Sequence, residues 1–90
     1  MKTFIEKNCY LVEYFKKPSI MDHSQTTYYV FKIEDEAYCM SFNVKSKVYV
    51  ISDYDLKTNH VNKMYGYFSK TKAREFIEDK LIRAGKRVVH

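Results

Sequence analysis

Three groups of residues in this chain have types and spacings that chemistry can use. Asp53 and Asp55 flank Tyr54 and stand shortly before His60. Two carboxylates and an imidazole are ligands for a divalent cation. The same aspartates also fit local turns, where the side chain bonds its own backbone. The spacing is loose, so the turn is preferred and no metal or other cofactor is assigned. Cys9 and Cys39, the only cysteines, lack a CxxC pattern and sit among apolar residues. Such surroundings work against the thiolate that a nucleophile or metal ligand needs. His23, His60 and His90 are scattered, and no nucleophile, base and orienting group stand out together. The expectation is a non-enzymatic protein. The alternative is a small ribonuclease or toxin-like enzyme working from dispersed Lys, Arg, His and Glu.

The third group is basic. Residues 1–56 hold seven lysines against eight acids, while residues 57–90 hold nine Lys or Arg against three acids. The net charge of +5 therefore belongs to the last third of the chain. Lys70, Lys72 and Arg74 open a helical pattern, and Lys86 and Arg87 follow its end. Cations at a helix start work against its dipole, and a local rule broken in this way points to function. A field of this sign attracts phosphate backbones, anionic lipid surfaces or an acidic protein. The bland reading is a solubilising lysine surface.

The elements that must position these cations follow from periodicity. Residues 70–84 form one amphipathic helix, with Ala73, Phe76, Ile77, Leu81 and Ala84 on one stripe. Ser69 is the N-cap, Phe68 and Ala73 take the staple positions, and Gly85 fits the left-handed C′ position. Asp79 with Arg83, and Arg74 with Glu78, are spaced for ion pairs. Ile82 points away from the stripe. Upstream, residues 26–33, 37–44 and 48–52 alternate as strands, joined by the charged tips Glu34-Asp35-Glu36 and Lys45-Ser46-Lys47. One face carries Tyr29, Phe31, Ile33, Tyr38, Met40, Phe42, Val44, Tyr49 and Ile51, the expected core. The other carries Tyr28, Val30, Ala37, Cys39, Val48 and Val50, apolar enough to suggest a covering segment or a partner.

Residues 53–62 read as a polar loop and 63–68 as a short strand. Residues 3–16 fit either a helix, with Phe4, Asn8, Leu11 and Phe15 in line, or a strand. The strand is preferred over 9–16, with Cys9, Leu11 and Phe15 on one face, ended by Lys17-Pro18. Residues 19–25 read as a polar loop in which Ile20 and Met21 tuck against the core.

The segment Ser69-Lys70-Thr71-Lys72-Ala73-Arg74, after a meander strand holding Gly66, resembles the closing strand-helix segment of double-stranded-RNA-binding domains. The resemblance covers residues 66–74. It implies that Lys70, Lys72 and Arg74 touch phosphates across a major groove. The chain has Gly66 where the family pairs two glycines, and Phe76-Ile77 where it has two alanines. In overall style, compact, tyrosine-rich and without tryptophan, the chain is similar to small accessory or inhibitor proteins of lytic phages.

These readings converge on a single α+β domain, residues 1–90: an antiparallel meander of four to five strands covered on one face by a C-terminal helix, about 70–84. The expected role is binding RNA or a nucleoprotein through Lys70, Lys72, Arg74, Lys86 and Arg87, as a regulator or inhibitor of a host defence factor. The alternative is a protein–protein inhibitor of an acidic host protein, or a homodimer, using Tyr28, Val30, Val50 and Ile82. No run suits a signal peptide or a membrane partner, so a reducing cytoplasm is expected.

Overall fold

A computed structural model describes residues 1–18 and 23–90. The expected placement of Ile20 and Met21 lies outside the described residues. The element order is α1 (Lys2–Asn8), β1 (Tyr10–Pro18), β2 (Gln25–Ile33), β3 (Glu36–Asn43), β4 (Val48–Asp55), β5 (His60–Phe68) and α2 (Lys70–Arg83). The strands pair antiparallel in chain order as one five-stranded meander, and the fold class is α+β.

Direct cross-strand partners share a face of a pleated sheet. The row Tyr14, Tyr29, Met40, Ile51 and Gly66 crosses all five strands on the helix-covered face. Its neighbour runs from Leu11 through Phe31 and Tyr38 to Asp53. The core joins Tyr29, Phe31, Tyr38, Met40, Tyr49 and Ile51 to Phe4 and Ile5 of α1 and to Ala73, Ile77 and Leu81 of α2. Both helices therefore cover the same face. Ile77 and Leu81 are almost fully buried, each contributing about 1.5–3 kcal/mol in transfer free energy. Phe76 meets Phe68, Tyr65 and Tyr38 with centroids 5.6, 5.0 and 6.2 Å away.

The ends of α2 follow its local chemistry. The Lys72 amide donates to Ser69 Oγ at 3.3 Å. At the other end the Lys86 amide reaches the Leu81 carbonyl and the Gly85 amide reaches Ile82. This pair of bonds is a Schellman motif, and Gly85 supplies the required left-handed turn at φ +77°.

The strand expected over 9–16 is present, and a helix precedes it. Residues 2–8 are helical, and the strand begins at Tyr10 and runs on to Pro18. Phe4 and Ile5 give α1 a buried edge, while Asn8 Nδ2 donates back to the Phe4 carbonyl at 2.9 Å. In β1 the register shifts between Leu11 and Glu13, leaving Val12 as an extra residue. A bulge moves every later side chain to the other face. Leu11 therefore faces the core beside Phe31, whereas Phe15 pairs with Tyr28 on the outer face.

Residues 53–62 are not one loop. β4 continues to Asp55, β5 starts at His60, and only 56–59 turn. Asp55 Oδ1 accepts the amides of Lys57 and Thr58, and Asn59 closes the turn at φ +57°. The β3–β4 hairpin repeats this design: Asn43 Oδ1 accepts the amides of Lys45 and Ser46, and Lys47 closes at φ +57°. Val44, expected in the core, sits in that turn and is half exposed. β5 carries two extra residues opposite β4, so both edge strands are bulged, a device that bends an edge away from stray pairing.

Candidate functional site

Cations from distant parts of the chain meet beside the start of α2. Helix α2 sets Lys70 and Arg74 one turn apart, and docking of Phe4 and Ile5 brings α1 against them. Lys70, Arg74, Lys7 and His90 line one cavity of about 220 Å³ together with Met1, Thr3 and Phe4. No carboxylate side chain lines it among the described residues. The amino group of Met1 is held below its ordinary value by burial first, then by the Lys70 and Arg74 charges. Arg74 lies over the Phe4 ring, 4.5 Å from its centroid, with Nη2 3.5 Å from His90 Nδ1. The guanidinium is thus fixed by stacking on α1, not by the Glu78 that the helical spacing offered.

A second, wider cleft of about 700 Å³ adjoins the first through Lys7. Its cations are Lys7, Lys32 and Lys86, and its wall includes Asn8, Cys9 and Tyr10. Glu34 also lines it and holds Lys86 at 3.2 Å. Asn8 fastens the tail to α1: its Nδ2 donates to the Val89 carbonyl at 2.7 Å and its Oδ1 accepts the Val89 amide at 2.6 Å. The two bonds hold the segment after α2 against α1, with Lys86 lining the cleft and His90 the smaller cavity.

The structure therefore divides the residues expected to bind phosphate. Lys70 and Arg74 share one cavity, and Lys86 lines the adjoining cleft. Lys72 points elsewhere, paired with Glu75 at 3.2 Å. Arg87 is exposed and lines neither cavity. Lys7, Lys32 and Tyr10 were missed. Lys7 becomes visible only once Phe4 and Asn8 are read as helical neighbours; Lys32 and Tyr10 are brought together only by strand pairing.

The residues expected to meet a protein partner do not form one patch. Val30 is only 2% exposed and belongs to the interior of the outer face, not to an accessible surface. Tyr28 and Val50 are half-buried in the outer row Phe15, Tyr28, Ser41, Val50 and Tyr67. Phe15 stacks on Tyr28 with centroids 4.9 Å apart, and Tyr67 is well exposed. Ile82 is 65% exposed but rides on α2, across the sheet from that row.

The remaining chemical candidates are engaged structurally. Asp53 accepts the Tyr65 hydroxyl at 2.6 Å, and Asp55 caps its turn. Burial pushes the Cys9 thiol up to about 12, and burial with the Glu13 charge raises Cys39. Both cysteines are free. Among the described residues no helix is long and apolar enough to cross a membrane. No family model matches this chain, and neither a curated protein nor a solved structure matches it.

Proposed function

We propose that this protein binds RNA, alone or within a nucleoprotein, through the basic groove where α1, the start of α2 and the tail meet. The observation that carries this reading is the convergence of Lys7, Lys70 and Arg74 on one cavity. Like charges held together repel, and an anionic ligand relieves that repulsion. The dipole at the start of α2 acts in the same direction. Nucleic-acid phosphates supply such charge repeatedly along a strand. No catalytic step is part of this role; occupying the RNA or its protein partner would regulate or inhibit it, as an accessory protein of phage type does to a host factor.

A salt titration of RNA binding tests the proposal. Three phosphates neutralised on a single strand give a slope of log affinity against log salt of roughly −2, so a fourfold rise in salt weakens binding about twentyfold. Lys7→Glu combined with Lys70→Glu should abolish binding at low salt. Failure of the unaltered protein to bind any RNA at low salt would end this reading.

The outer face favours a second reading, a protein–protein module. Its support is the exposed Tyr67 at the end of the aromatic outer row. Light scattering of the protein alone would show a dimer, and Tyr67→Ala would dissolve it.

A further inference from the structure

We infer that the groove takes single-stranded RNA and that Tyr10 is a stacking platform for an unpaired base. This rests on the nucleic-acid reading above and adds to it the form of the ligand. Tyr10 is the first residue of β1, on the bulged edge of the sheet. The residue is 70% exposed although it lines the larger cleft. Across the strand pair it stands directly opposite Lys32, and Lys7 lines the same cleft, while Lys86 there is paired with Glu34. An aromatic face beside cations is the combination that unpaired bases recognise, since each base offers a π-face and each linkage a phosphate.

The geometry argues against a duplex as the occupant. In an A-form helix the bases are stacked on one another and their faces are unavailable. A ring set in a cleft would meet only sugar and phosphate there. A single strand can place a base on Tyr10 while its backbone passes Lys7 to the smaller cavity at Lys70 and Arg74. Lys7 lines both cavities and so stands between the ring and the helix start. Glu34 in the cleft is neutralised by Lys86, 3.2 Å away.

Fluorescence anisotropy with a labelled single-stranded oligouridylate and a matched RNA duplex, at two salt concentrations, separates this inference from the reading beneath it. Tyr10→Ala should weaken single-strand binding about 5- to 150-fold, the effect of losing one stacked base. The salt slope should stay unchanged, because no phosphate contact is lost. Tyr10→Phe, which keeps the ring, should bind like the unaltered protein, and thermal melts of both variants should match it. The inference is overturned by a Tyr10→Ala variant that keeps full affinity, or by a preference for the duplex; salt-dependent binding in that case leaves the basic groove standing. Absence of binding to either RNA overturns both.

Discussion

Leu81 and Ile82 are adjacent in α2, similar in size, and opposite in fate: Leu81 is 0% exposed and Ile82 is 65% exposed. Leu81 packs in the cluster that holds Phe31, Tyr38, Met40 and Ile51 under the helix. Truncation to alanine removes buried methyl groups and leaves a cavity whose walls are sheet side chains, a change that costs about 2–5 kcal/mol. For a domain this small each kcal/mol is about 4–8 °C of melting temperature, so a mid-range loss of about 3 kcal/mol lowers Tm by about 12–24 °C. Domains of this kind have roughly 5–15 kcal/mol in all. Leu81→Ala should therefore remain folded at room temperature, and Leu81→Asp, which buries a charge, should not fold. Ile82→Ala should stay within about 0.5 kcal/mol of the unaltered protein. Circular dichroism melts and urea titrations of the three variants give the comparison. Equal melting temperatures for Leu81→Ala and Ile82→Ala, or a stable Leu81→Asp, would refute the docking of α2 on the sheet.

Gly66→Ala should cost about 1–3 kcal/mol, because φ at Gly66 is +143° and an added Cβ meets only ordinary contact with Phe68 at 3.9 Å; the cost is conformational, and an unchanged urea midpoint would contradict it. Asn8→Asp replaces the amide donor by a carboxylate facing the Phe4 and Val89 carbonyls; the tail should detach, read as faster amide exchange at Val89, while α2 stays protected. The Tyr65 phenol is pushed up to about 12, chiefly by its bond to Asp53, and burial raises Tyr29 to about 12 as well. Their folded values lie above the ordinary 10, so the folded state holds more protons between pH 10 and about 12. That stabilisation is complete below pH 10 and is lost as pH rises toward 12. Phenolate absorbance should show late-titrating tyrosines, one of them removed by Tyr65→Phe; a titration complete near pH 10 would contradict this.

Much of the fold was legible because local chemistry and tertiary packing agree along α2 and the central strands. Ser69, the Ala73–Ile77–Leu81 stripe and Gly85 each do what their residue types dictate. The alternation of Tyr29, Phe31, Tyr38, Met40, Tyr49 and Ile51 survives as the core face. The failures lie where one extra residue or one polar residue changes the period. Val12 inverts the faces of β1, so counting by twos wrongly joins Leu11 with Phe15. Asp53, Asp55 and His60 look like loop residues, yet they end and begin strands on either side of a four-residue turn, 56–59, that Asp55 caps by accepting the Lys57 and Thr58 amides. α1 buries only Phe4 and Ile5, too few for a helical period to declare itself.

The groove was half visible for a related reason. Lys70 and Arg74 belong to one helix and can be paired by counting. Lys7 is far from them in sequence and reaches them through the burial of Phe4 and Ile5. Lys72, equally basic and in the same helical turn, faces Glu75. Helical spacing alone could not separate it from its neighbours.

That contrast gives the most direct measurement of the proposed groove: the salt dependence of single-stranded RNA binding for Lys7→Gln, Lys70→Gln and Lys72→Gln beside the unaltered protein. Each lost phosphate contact should reduce the slope by about 0.7. A groove assembled by the fold predicts that reduction for Lys7→Gln and Lys70→Gln, and an unchanged slope for Lys72→Gln. An effect at Lys72 equal to that at Lys70, with none at Lys7, would contradict it and leave only the charge of the helix start.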